Sequence, residues 1–168
     1  MGKMSYCIVD TKHGAVGLMG SEGMLARSTL PGSRRSVMEQ LRAGMPAECE
    51  ESEAAFGELP DKLRRYFSGE QVDFSDVPID VSGYGPFHAA VLRTAQRIPY
   101  GPCVTYLELA RMAGSTRAAR AAGTAMANNA YPIIVPCHRV VASGGRIGGF
   151  ASGLEWKRTL LALEGQQL

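Results

Sequence analysis

The chain has 168 residues, enough for one large domain or two small ones with a real core. It is 45% hydrophobic and 20% charged, an ordinary globular composition, and no apolar run approaches the roughly 18 residues needed to span a bilayer. The net charge of +2 hides an asymmetry: residues 1–80 carry nine Lys/Arg against thirteen Asp/Glu, a balance of −4, and residues 81–168 carry nine against three, a balance of +6.

The first third reads as β then α. Tyr6–Asp10 and Ala15–Met19 are short apolar runs joined by Thr11-Lys12-His13-Gly14, a hairpin pattern, and Met24–Thr29 is a third candidate strand. Pro31-Gly32-Ser33 precedes a helical pattern to about Ala43, with Ser33 as N-cap. A second helix starts at Pro60, with Leu63, Tyr66 and Phe67 on one face and Gly69 as its stop. Residues 70–84 lack periodicity and read as a linker into Gly83-Tyr84-Gly85-Pro86. This divides the chain into an N-terminal α/β domain, 1–82, and a second domain, 83–168.

The second half is more regular. Phe87, Val91, Ala95 and Ile98 predict an amphipathic helix ended by Pro99-Tyr100-Gly101-Pro102. Thr105-Tyr106-Leu107-Glu108 has the form of a capping box opening a helix to Met112. Gly114-Ser115 breaks the chain before a second helix over Thr116–Ala127, a helix-turn-helix pattern. That second helix, Ala118-Ala119-Arg120-Ala121-Ala122-Gly123-Thr124-Ala125, has almost no large side chain. So bare a surface either packs tightly on a neighbouring helix or brings its backbone close to a shallow groove. A last helix runs from Leu154 to Glu164 between Gly153 and Gly165. The fold class expected is α+β: a small sheet-and-helix domain, then a mainly helical one with a winged-helix-like helix-turn-helix.

The start of the chain lacks the basic stretch, apolar stretch and cleavage site of an export signal, which points to an intracellular protein, cytoplasmic or, in a eukaryote, nuclear. Cys7, Cys49, Cys103 and Cys137 stand apart, without C-x-x-C or a histidine at ligand spacing, so neither a disulfide framework nor a metal site is expected. Cys7 and Cys103 read as small core residues, and Cys49, in an acidic stretch, as near the surface. The basic second half fits a surface that meets phosphates, although a merely solvated face gives the same count.

The chemistry concentrates in Pro136-Cys137-His138-Arg139-Val140, which closes the apolar run Ile133-Ile134-Val135, expected to be a buried strand. A thiol next to an imidazole offers a soft nucleophile and a base. A free thiol has a pKa near about 8.5, so its thiolate fraction must be raised by a base or a positive field. Successive side chains on a strand point to opposite faces, so contact through a water or a turn after Pro136 is expected instead. Each residue also has an ordinary reading: Cys137 as inert core, His138 as a structural histidine, Glu164 as an exposed helix end.

From about Phe87 to Glu164 the chain resembles the O6-alkylguanine-DNA alkyltransferases, and Pro-Cys-His-Arg-Val is a specific signature of that family. The resemblance implies a protein that moves an alkyl group from O6-alkylguanine, and also from O4-methylthymine, in double-stranded DNA to its own Cys137, once per molecule, without a cofactor. It implies that His138 reaches Cys137 through water and that Glu164 orients His138. Tyr106 matches the tyrosine that bonds the base and supplies a proton. Arg120 matches an arginine finger that fills the stack when the damaged nucleotide is flipped out, a plain phosphate contact being the alternative. The small-residue helix, with Ala119, Ala121, Gly123 and Thr124, matches the element that enters the minor groove.

Asn129 matches an asparagine that ties the helix-turn-helix to the active-site loop. Pro132, Val140, Phe150 and Ala151 match the pocket, Val140 through its backbone. Many relatives carry tyrosine where Phe150 stands. The glycine-rich stretch Gly148–Gly153 lacks the Lys-Ser/Thr of a phosphate-binding loop. Some relatives hold zinc in the N-terminal half, but the ligands do not align with His13 and His88, so no metal is carried over. A monomer without membrane attachment is expected. The rival readings are a lesion-binding relative without transfer activity, an alkylation-sensing regulator, and a cysteine hydrolase that turns over repeatedly.

Overall fold

The computed structural model describes residues 2–168. By its contacts the chain falls into two compact units, one ending at Asp80 and including Ala130–Pro132, the other formed by Val81–Asn129 and Ile133–Leu168. The three-residue return belongs with the first unit for a local reason. Ser28 N donates to Ala130 O at 3.0 Å, Ser28 Oγ donates to Pro132 O at 2.9 Å, and the Tyr131 hydroxyl donates to Asp80 O.

The first unit is a four-stranded sheet with helices. Strands β1 (Met4–Thr11), β2 (Gly14–Ser21) and β3 (Met24–Ser28) form an antiparallel meander, and β4 (Glu50–Glu51) adds in parallel to β1, giving the order β3-β2-β1-β4. Helix α1 (Arg34–Arg42) is capped by Ser33, whose side chain accepts from Ser36 N at 3.1 Å. Its Val37 and Leu41 pack on Ala15 and Met19. Gly17 permits this closeness, because a Cβ there would lie 2.7 Å from Val37 Cγ1. Helix α2 (Leu59–Phe67) buries Leu63, Tyr66 and Phe67, and Tyr66 meets Phe74 edge-on.

The second unit is mainly helical. Helix α3 (Pro86–Gln96) buries Val91, Leu92 and Ala95. The two-residue strand β5 (Val104–Thr105) leads directly into α4 (Tyr106–Met112). The capping box forms: Glu108 N donates to Thr105 Oγ1 at 3.1 Å and Thr105 N donates to Glu108 Oε2 at 2.6 Å. Gly114, at φ +104°, ends α4, and α5 (Ala119–Ala127) packs against α4 and α3. The expected start of α5 at Thr116 is three residues too early. Ala118, at its N-terminus, has no side-chain acceptor, and residues 116–118 are spent turning the chain.

The expected strand over Ile133–Val135 is also corrected. All three residues are at most 1% exposed, but Ile133 has φ +77° and Ile133 and Ile134 form a turn, with no more than an isolated bridge at Val135. Flanking Pro132 and Pro136 remove ladder donors, so the run is apolar because it is buried and not because it is extended. Cys137–Arg139 forms a 3₁₀ turn, after which β6 (Val140–Val141) pairs in parallel with β5. Helix α6 (Leu154–Leu163) ends the unit with Glu164 as its C-cap. No helix among the described residues is long and apolar enough to cross a membrane.

Candidate active site

The 3₁₀ turn decides the geometry around Cys137. Pro136 begins it, Arg139 N donates to Pro136 O at 2.9 Å, and Cys137 N donates to Val135 O at 2.8 Å. Consecutive side chains therefore fan out around the turn. Cys137 keeps part of its surface open, while His138 is fully buried and Arg139 is 5% exposed.

His138 and Arg139 converge on one carboxylate. His138 Nε2 lies 2.9 Å from Glu164 Oε1, and Arg139 donates through Nε at 2.9 Å to Oε2 and through Nη2 at 2.7 Å to Oε1. Arg139 Nη1 also donates to Ile98 O at 2.6 Å. Glu164 is 5% exposed. Burial alone would raise its carboxyl, but the hydrogen bonds from His138 and Arg139 and the charge of the guanidinium outweigh that and bring it down to about 2. An ionised carboxylate only accepts, so Nε2 of His138 carries the proton and Nδ1 the lone pair. Burial also lowers the pKa of His138 against the pull of Glu164, which keeps the ring neutral and so able to accept a proton at Nδ1.

The sulfur of Cys137 has its own neighbours. Burial raises its pKa, while a hydrogen bond from the Asn129 side chain and the charge of Lys157 act in the opposite direction. Asn129 Nδ2 also donates to Val135 O at 2.9 Å, joining the end of α5 to the thiol turn. Lys157 is fully buried on α6 and donates to Val140 O at 2.7 Å and Gly149 O at 3.0 Å. Burial pulls its pKa down to about 8, even though Cys137 and Cys103 push it up. Its Nζ sits 5.7 Å from the centre of the Tyr106 ring, and the Tyr106 hydroxyl donates to Gly149 O at 3.4 Å. Burial raises the Tyr106 phenol, keeping it protonated at neutral pH.

Cys137, His138, Glu164, Asn129 and Tyr106 thus gather in the second unit. Glu164 is no exposed helix end: α6 carries it into the interior beside Arg139. Val140 is buried and its carbonyl is already bonded by Lys157. Phe150 is half-buried and Ala151 exposed, both on the loop between β6 and α6. Pro132 belongs to the first unit. On α5, Arg120, Ala121 and Thr124 are exposed, Ala119 and Gly123 half-buried, and Ala122, Ala125 and Met126 buried, so the small residues serve both a packed face and a bare outer one. Gly123 approaches Tyr106, where a Cβ would lie 3.8 Å from the ring. Arg120 stands on the exposed face of α5.

Two residues escaped the sequence reading. Arg139 stood inside the quoted motif without a role, and nothing local told that it would be buried. Lys157 did leave a signal: it falls on the apolar stripe of α6, three residues from Leu154 and four from Leu161, where a solvated lysine does not belong. No group of three or more His, Cys, Asp or Glu among the described residues could hold a metal ion.

Residues 86–166 match the family model for the 6-O-methylguanine DNA methyltransferase, DNA binding domain. A methylated-DNA–protein-cysteine methyltransferase of Mycolicibacterium paratuberculosis is 37% identical over 161 residues, 96% of this chain and 92% of that protein. One from Methanopyrus kandleri is 50% identical over 107 residues, 64% of this chain and 79% of that protein. The crystal structure of Mycobacterium tuberculosis OGT in complex with DNA superposes with a TM-score of 0.77 at 34% identity, covering 95% of this chain and 92% of that one.

Proposed function

Because the chain belongs to the methylated-DNA–protein-cysteine methyltransferase family, we propose that it repairs DNA by taking an alkyl group from O6-alkylguanine, and from O4-methylthymine, onto Cys137, once per molecule. DNA repair by alkyl transfer is the activity of the family, and DNA is the partner of its structural neighbour from Mycobacterium tuberculosis. The observation that carries the assignment of the acceptor is Cys137, a half-buried residue on the thiol turn, beside a buried His138–Glu164–Arg139 cluster.

The chemistry follows from those groups. Nδ1 of His138 takes the thiol proton through an intervening water, and the resulting imidazolium is held by ionised Glu164. The sulfur attacks the alkyl carbon, an S–C bond forms, and the C–O bond breaks with its electron pair leaving on the guanine. The Tyr106 hydroxyl supplies a proton to the departing base and recovers it from solvent. The thioether left on Cys137 has no route to hydrolysis, hence a single event per molecule.

Duplex DNA meets the outer face of α5 through its minor groove, with Ala119, Ala121, Gly123 and Thr124 allowing close approach and Arg120 filling the gap left by the flipped nucleotide. The loop from Ala142 to Arg146, closed by Ala142 N donating to Arg146 O at 3.0 Å, is read as the wing. Phe150 and Ala151 face the flipped base, with Val140 contributing backbone, and Asn129 fixes the thiol turn. The first unit serves as support, and the protein acts as a monomer.

The test is intact-mass measurement and peptide mapping after incubation with a duplex containing O6-methylguanine. One methyl group should appear per molecule, on the peptide bearing Cys137. Repeated product release by each molecule would instead favour a hydrolase.

A further inference from the structure

Lys157 has no part in the chemistry above, yet it is the most deeply buried cation in the second unit, at 0% exposure. Taking an ammonium out of water costs several kcal/mol unless its donors are well used. Here they go to two backbone carbonyls from different segments: Val140 O at 2.7 Å, directly after the thiol turn, and Gly149 O at 3.0 Å, in the glycine-rich loop. The Gly149 carbonyl also receives the Tyr106 hydroxyl at 3.4 Å.

A second feature fixes the loop at the same point. Gly148 has φ +75°, and a Cβ there would lie 3.0 Å from the Tyr106 hydroxyl oxygen and 3.1 Å from Ala142 N. Only glycine brings the backbone this near while adopting that conformation. The segment Gly148–Gly153 otherwise has little to hold it: Gly149, Ala151, Ser152 and Gly153 are exposed, and Gly153 N donates only to Phe150 O, within the loop itself.

We propose that Lys157 is a positioning residue, a buried ammonium clamp that holds the Gly148–Gly153 loop against Tyr106 and in register with the thiol turn. The clamp acts through the loop; the same ammonium also lowers the pKa of the Cys137 thiol by its charge, and Gly148→Ala, which keeps that charge, separates the two effects. Its effect on transfer rests on the function proposed above, but its effect on the loop does not.

The experiment compares the full chain with Lys157→Met, Gly148→Ala and the double variant. Methionine matches the lysine stem in length and removes a desolvated charge, so the fold is retained. Amide hydrogen exchange should rise about tenfold or more across residues 148–153 in Lys157→Met, with protection of α3 and α5 unchanged. The single-turnover rate at saturating methylguanine duplex should fall by a similar factor, with affinity for undamaged duplex within about twofold. Gly148→Ala should loosen the same segment, and the double variant should be no looser than the worse single one, because both changes break one contact. Unchanged exchange at 148–153, additive effects, or a freed loop with an unchanged rate would each overturn the proposal. If the unaltered protein transfers nothing, the function fails, and the exchange data still decide the clamp.

Discussion

At the residue scale the site is a division of labour between a thiol that burial keeps protonated and a carboxylate that its neighbours keep ionised. Cys137→Ala should abolish transfer and leave duplex affinity within about threefold, read by mass and by fluorescence anisotropy, because the side chains proposed to meet the groove lie on α5. Glu164→Gln does two things at once. It removes the charge that favours the His138 imidazolium, so the transfer rate should fall by about 10²-fold or more in single-turnover assays. It also leaves Arg139 buried without its anion, which should cost about 3–5 kcal/mol in urea unfolding. A large rate loss without a stability loss would mean that Arg139 finds another acceptor.

Helix α5 is the element whose composition carries most meaning. Its inward face needs Ala122 and Ala125 to pack, while its outward face shows Arg120, Ala121 and Thr124. Ala121→Leu should leave thermal stability nearly unchanged, within about 0.5 kcal/mol, since the site is exposed. It should weaken duplex binding about tenfold if the helix enters a narrow groove. Arg120→Ala should slow repair of methylguanine in duplex more than reaction with free O6-methylguanine base, and equal losses on the two substrates would refute the finger role. The turn at Cys137–Arg139 matters in the same way. It buries two consecutive side chains, His138 and Arg139, and leaves Cys137 half-buried, which a strand, alternating strictly between two faces, does not do.

At the scale of the whole molecule, buried ionisable groups make stability depend on pH. Glu164 sits at about 2 in the fold against 4.5 when unfolded, so its contribution, about 3 kcal/mol, is present above pH 4.5 and is lost as the pH falls toward 2. His138, lowered by burial from 6.5, adds a loss in the same direction as the pH falls below 6.5. The urea midpoint should therefore drop steadily from pH 7 to pH 3, and Glu164→Gln should flatten the lower part of that curve. A midpoint independent of pH over this range would show that neither group is held as described.

What the amino-acid order determined by itself was local. Thr105 and Glu108 announce a capping box, Ser33 a cap, Gly69 and Gly114 helix ends, and the apolar runs at Tyr6–Asp10 and Ala15–Met19 a hairpin, because each depends only on neighbours within a turn or two of chain. Pro-Cys-His-Arg-Val named the family for a related reason, as a contiguous string. Tertiary structure decided the rest. Glu164 lies 26 residues from His138, and whether it meets water or a buried guanidinium depends on where α6 packs. Ile133–Val135 had the composition of a strand and became a turn because burial, not extension, selects apolar side chains. For Lys157 the sequence shows only its place on the apolar stripe of α6; once α6 is docked, Val140 and Gly149 supply the carbonyls that allow a charge to be buried.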